Sequence, residues 1–172
     1  MCCRVRCVQV EVLCTGITVD EQEVDMARPG ENVLVRVKGI EEEEVQEGFV
    51  LSYLDRPTKR AALFEAQVAV LDLLEHKPIL AVGYEAMLHV HVLTAECTLT
   101  SIVQGIDKKT GEKSDKKPRF LKSNDFATVR FRLAQSVAIE TFKEHPALGR
   151  FTIRDEGKTI CIGKITQVKE EP

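Results

Sequence analysis

Apolar residues recur at every second position over much of this chain and almost nowhere at every third or fourth. Val8, Val10 and Val12 alternate with Gln9, Glu11 and Leu13, and Val33, Val35 and Val37 alternate with Leu34, Arg36 and Lys38. The pattern returns in Phe64, Ala66, Val68 and Val70, in Leu88, Val90 and Val92, and in Ala127, Val129, Phe131 and Leu133, each set interleaved with more polar residues. Side chains on a strand point to opposite faces in turn, so each run predicts a half-buried β-strand. Phe49–Leu51 and Thr98–Ile106 predict two more. The only helical expectation is a single turn over Glu140–Glu144, ahead of Pro146.

These strands predict an all-β fold in two parts. Ser52–Arg60, with Asp55, Arg56, Pro57 and Lys59 and little that is apolar, has the composition of a linker. The boundary is expected at Pro57, giving domains 1–57 and 58–172. The first holds about three predicted strands, too few to close a barrel. The second has enough to form one.

The most strongly patterned stretch is Gly149–Gly163, which reads as a β-hairpin turning at Asp155-Glu156-Gly157-Lys158. Phe151 and Ile153 share one face of its first strand; Arg150, Thr152 and Arg154 share the other. Gly157 supplies the positive φ that a short bulged hairpin loop needs. Burying the apolar face leaves the two arginines for a partner, and guanidiniums suit bidentate pairing with carboxylates.

Composition narrows the class further. Of 172 residues, 44% are apolar and 30% charged, which argues against both a disordered chain and a membrane span. Six cysteines in a chain without a secretory signal are expected to be reduced thiols. A net charge of −3 gives no general attraction to nucleic acid, although Lys108, Lys109, Lys113, Lys116, Lys117 and Arg119 concentrate positive charge in one loop. That loop reads first as a solvated connection and second as a contact for RNA or a partner. The run Glu41–Glu44 reads as a solvated face.

No catalytic constellation emerges. Gly157-Lys158-Thr159 lacks the Gly five residues before it that a phosphate loop requires, since position 152 is Thr. His89 and His91, two apart on a predicted strand, would share a face, but no third metal ligand is identifiable. Cys2, Cys3, Cys7 and Cys14 contain no zinc-type pair. The serines lack a nucleophile elbow and the histidines a carboxylate partner.

The wording Gly149–Ile165 (GRFTIRDEGKTICIGKI) resembles the closing hairpin of the last barrel in elongation-factor-like translational GTPases, and most of all the eukaryotic release-factor GTPases, the family of the peptide chain release factor GTP-binding subunit. Lys108–Asp125, Ile79–His91 and Pro29–Phe49 extend the resemblance over nearly the whole chain. It implies part of the middle β-barrel followed by the complete C-terminal β-barrel. In that family the nucleotide domain precedes the barrels, so GTP and Mg²⁺ are expected there and no cofactor, metal or catalytic residue in this chain.

What the resemblance implies for function is translation termination in the cytoplasm: barrels that bind the class I release factor and orient it on the ribosome, with no membrane and no DNA partner. Arg150, Phe151, Thr152, Arg154 and Asp155 are the partner-binding residues it implies. The barrels of a ribosome-rescue GTPase or of an elongation-factor-type aminoacyl-tRNA carrier are the alternatives. The run Lys38-Gly39-Ile40-Glu41 and the turn Glu156–Thr159 fit the release-factor pattern better. A free-standing enzyme on a β-barrel would need a pocket of convergent polar groups.

Overall fold

The computed structural model describes residues 3–7, 10–106 and 118–169, with the side chains of 3–7 left out. The chain divides into two compact units, 1–58 and 59–172. Strands dominate both.

In the first unit, β1 (Cys3–Cys7), β2 (Val10–Val19), β3 (Gln22–Val24), β4 (Leu34–Lys38) and β5 (Leu51–Tyr53) form one five-stranded sheet. The ten-residue β2 is its spine: Leu13 pairs with Arg4 on one side and Lys38 on the other, and Ile17 with Val24 and Val35. Strands β1 and β3 therefore follow one another along one edge of β2, while β4 lines the opposite edge. β3 was not visible as an alternating run because three residues cannot establish a period, whereas β1 does alternate Cys3, Val5 and Cys7 with Arg4 and Arg6 and was missed. Among the described residues this sheet does not close. The acidic run forms a single exposed 3-10 turn, Glu42–Glu44, in which the Glu44 carboxylate accepts the Glu41 N–H at 3.2 Å.

The second unit is a closed barrel of six strands. In chain order its elements are β6 (Arg60–Val70), β7 (Leu80–Ala81), β8 (Glu85–Val90), β9 (Leu93–Ile106), β10 (Phe120–Leu121), β11 (Phe126–Ala138), α1 (Pro146–Gly149), β12 (Arg150–Asp155) and β13 (Lys158–Lys169). The barrel runs β11-β6-β13-β12-β8-β9 and back to β11; β7 and β10 pair separately as a small two-stranded sheet. The predicted inward faces are inside: Phe64, Ala66, Val68, Val70, Leu88, Val90, Ala127, Val129, Phe131 and Leu133 are all buried in one core.

One row of cross-strand neighbours shows how the barrel shuts. Starting at Thr94 on β9, it passes His89, Thr152, Ile162, Ala69 and Phe126 and comes back to β9 at Ile106. The return lies twelve residues further along the same strand, from Thr94 to Ile106. Such a stagger tilts the strands, and tilt is what lets so few of them enclose a filled core. At its entry β6 is pinned by Glu140, whose carboxylate is buried and accepts the Lys59 N–H at 2.9 Å.

Two expectations are corrected here. A hydrogen-bonded turn does form within the expected stretch, Glu144 and His145 N–H donating to the Thr141 carbonyl at 3.1 and 3.0 Å, but the helix itself lies one step on, at Pro146–Gly149. Proline has no N–H to donate and a preset φ, so it is favoured in the first turn and opens the helix. The alternation through Leu88, Val90 and Val92 also stops early: β8 ends at Val90, His91 adopts φ +45° in the connecting turn, and Val92 is 73% exposed.

Candidate partner-binding face of the C-terminal hairpin

The hairpin β12–β13 turns through Glu156 and Gly157, both at positive φ (49° and 80°), between the paired residues Asp155 and Lys158. Two consecutive positive φ values make the twist of the turn match that of the strands. The bulge lies in the strand beyond it: Ile153 faces Cys161 and Arg154 faces Thr159, leaving Ile160 as the extra residue. Gly157-Lys158-Thr159 is thus a hairpin turn entering a strand, with no helix behind it to cradle phosphate.

The five residues expected to bind a partner do not form one patch. Phe151 borders the outer groove between Arg150 and Thr152 but faces mainly inward. It is 3% exposed and packs with Phe64 and Phe131, ring centroids 5.5 and 6.0 Å away, so it supports the strand from within. Arg150 and Arg154 both point outward, but four residues along a strand separate them by about 13 Å. Arg150 lays its guanidinium over the Phe142 ring, 5.1 Å from the centroid. Arg154 folds back and donates to the Gly157 carbonyl at 2.7 Å. They also face different surroundings.

Arg150 and the half-buried Thr152 line an open groove of about 770 Å³ across the outer face of β8, β12, β13, β6 and β11. Its floor follows the closure row through Ala69, Ile162 and Phe126, with Phe142 and Ala147 at one end. Among the described residues, the charged side chains on its lining are Arg150 and Lys164, and no carboxylate lies with them. His89 and His91 contribute imidazoles. His89 Nδ1 is hydrogen-bonded with the Thr94 hydroxyl at 3.1 Å, and burial holds His91 below its ordinary pKa against the opposing pull of the Ala138 carbonyl. An apolar floor rimmed by cations suits an apolar segment carrying carboxylates.

Arg154 and Asp155 instead border a cleft of about 430 Å³ with Arg132, Glu85, Glu96 and Glu156. Asp155 is engaged within the barrel: Tyr84 Oη donates to it at 2.6 Å and Lys77 Nζ at 2.9 Å. Burial opposes its charge, but the hydrogen bonds from Tyr84 and Lys77 outweigh burial and hold its carboxyl below the ordinary range. The Tyr84 hydroxyl is driven upward, first by burial and then by this bond. Glu156 meets His76 at 3.1 Å, and Lys158 Nζ donates to the Leu73 carbonyl at 3.3 Å. Together these contacts fasten the hairpin tip to the segment 73–84.

His89 and His91 both reach the groove, yet not as a pair on one strand face, because His91 belongs to the turn. No cluster of three metal-ligating side chains occurs among the described residues. Cys14, Cys97 and Cys161 are free and buried. Lys108–Lys117 lies outside the described residues apart from its neighbours Pro118 and Arg119. Sequence reasoning missed Ile162, Lys164 and Phe142 as groove residues. The signal was present for Ile162 and Lys164, which alternate with the buried Cys161 and Ile165, but their juxtaposition with His89 depends on register.

With this geometry in hand, the chain can be set beside known proteins. Residues 63–166 match the family described as GTP-eEF1A C-terminal domain-like. The chain is 40% identical over 161 residues to the eukaryotic peptide chain release factor GTP-binding subunit of Kluyveromyces lactis, covering 94% of this chain and 22% of that protein. It is 39% identical over 154 residues to elongation factor 1-alpha of Sulfolobus acidocaldarius, covering 90% of this chain and 35% of that protein. Among solved structures, sup35 complexed with GDP superposes with a TM-score of 0.88 at 29% identity, over 97% of this chain and 40% of that one. The chain thus spans about a fifth to two fifths of the proteins it matches. A six-stranded closed barrel matched along nearly its whole length places this chain in the GTP-eEF1A C-terminal domain-like family, the non-catalytic C-terminal barrel of translational GTPases.

Proposed function

We propose that this chain acts in translation termination in the cytoplasm, as barrels of a release-factor GTPase that hold the class I release factor and present it at the ribosome. The observation that carries this reading is the groove beside Arg150: an apolar floor whose charged lining residues, among those described, are Arg150 and Lys164, without a carboxylate. The similarity to release-factor GTP-binding subunits supports the choice of partner. In this reading the chain contributes recognition only, and GTP and Mg²⁺ belong to a nucleotide domain of the whole factor.

A second reading, an aminoacyl-tRNA carrier, is favoured by the nearly equal identity to elongation factor 1-alpha. A pull-down of the class I release factor by this chain, with aminoacyl-tRNA as competitor, separates the two. Capture of the release factor that tRNA leaves undisturbed supports termination; binding of tRNA in its place supports the carrier. Labelled GTP should show no saturable binding to the purified chain.

A further inference from the structure

The cleft bordered by Arg154 lies on the outer face of β11, β9, β8 and β12, and cross-strand register fixes how its charges are arranged. One row, across β11, β9 and β8, runs Arg132, Thr98, Glu85. The next outward row, two residues along and across β9, β8 and β12, runs Glu96, Met87, Arg154. Their chain neighbours Leu133, Cys97, Leu88 and Ile153 are buried in the barrel, so alternation turns both rows to solvent. Met87, at the middle of the second row, is 38% exposed. The two arginines stand at opposite corners, each in line with a glutamate. Arg132, Arg154, Glu85 and Glu96 form no ion pair among the described residues. Asp155 and Glu156, the other carboxylates on the cleft, are already matched by Lys77 and His76.

A partner of one charge sign would be repelled by half of this pattern, but the pattern complements itself. A two-fold axis lying across the strands, between the two rows, exchanges the rows of two copies packed face to face. It brings Arg132 of the second copy alongside Glu96 and Arg154 of the second copy alongside Glu85, each offset laterally by one strand spacing of about 5 Å. The gap of about 10 Å between packed sheets is one that Arg and Glu side chains span together. Aligned strand directions are a normal way for two sheets to pack, and an isologous contact makes each charge pair twice.

We propose that this face of the barrel is a homodimer interface, in which a second copy supplies Arg132 to Glu96 and Arg154 to Glu85. It uses other residues than the groove lined by Arg150 and does not depend on the release-factor reading.

The test is sedimentation velocity of the full chain over a concentration series at low and at high salt. A monomer–dimer equilibrium is expected, and salt should weaken it, because exposed ion pairs are individually modest and screened. Arg132→Glu and Glu96→Arg should each weaken dimerisation by about 10-fold or more, with an unchanged melting temperature, since each sets like charges against one another twice. An equimolar mixture of these two variants should dimerise again, as a heterodimer in which every introduced charge meets its opposite. Met87→Glu, which faces Glu85 of the second copy, should weaken the dimer independently, and Arg150→Glu should leave it unchanged. A chain that stays monomeric at every concentration overturns the proposal. So does association indifferent to the Arg132, Glu96 and Met87 variants, which would place the contact on another face, for instance the open sheet of the first unit. Failure of the mixture to recover the dimer, or loss of the dimer in Arg150→Glu, overturns it as well.

Discussion

Gly163 lies directly across from Phe151 in the hairpin, and a Cβ built on it runs into the phenyl ring. The same Cβ would stand 3.0 Å from the Gln67 carbonyl on the next strand. Glycine is therefore the space into which Phe151 tilts to join Phe64 and Phe131, and one residue's missing side chain completes the other's packing. Backbone atoms on one side and a caged ring on the other leave little room to adjust.

Gly163→Ala should accordingly destabilise the barrel by about 1 to 3 kcal/mol through overpacking, measured as the urea midpoint at constant m. Phe151→Ala should cost about 3 to 5 kcal/mol. Combining Gly163→Ala with Phe151→Leu should cost less than the two single changes added together, since the smaller side chain vacates the contested volume. Strict additivity would show that the glycine is required for some other reason.

The Asp155 carboxylate fixes the sign of one pH effect. Its folded pKa is depressed below the ordinary 3.8 by Tyr84 and Lys77, against burial. Its contribution is therefore complete above about pH 4 and is lost as pH falls through the lower, folded value. Asp155→Asn should be less stable than the parent at pH 7, and the gap should narrow by pH 3; a gap that widens on acidification refutes the assignment. Tyr84→Phe should cost about 1 to 2 kcal/mol at pH 7, as the loss of a hydrogen bond to a charged group does.

Partner binding should discriminate between the two arginines. Arg150→Glu and Lys164→Glu put negative charge on the rim of the groove and should each weaken release-factor binding by about 2 kcal/mol or more with little change in melting temperature. Arg154→Glu should have the smaller effect, because its guanidinium is turned back onto Gly157 beside the other cleft. Calorimetric titration of the three variants checks the order. A larger effect from Arg154 would move the contact to the cleft.

Burial pushes the thiols of Cys97 and Cys161 up to about 12, so neither forms thiolate at neutral pH. Alkylation mapped by mass spectrometry should leave both unmodified in the native chain at pH 8 and modify both in denaturant. Rapid native labelling at either site would contradict the closed barrel at that strand.

Much of the barrel was written in local pattern. A strand buried on one face must alternate, so Phe64–Val70, Ala127–Leu133 and Phe151–Ile153 disclosed their inward residues in one dimension, and a Gly in a four-residue polar turn disclosed the hairpin. Short pieces such as β3, β7 and β10 carried too few residues to show a period, and the helix gathered after the expected turn, at Pro146, whose preset φ and missing donor suit a first helical position. The site was only half legible. Sequence alternation determined that Arg150 and Arg154 point outward and Phe151 inward. Which outward residues become neighbours depends on cross-strand register, a relation among residues as distant as His89, Thr152, Ile162 and Phe126. Tertiary structure alone decided that Arg150 joins Lys164 on an apolar groove while Asp155 is drawn inward by Tyr84 and Lys77, because closure of a tilted barrel sets who stands beside whom, and no single strand contains that information.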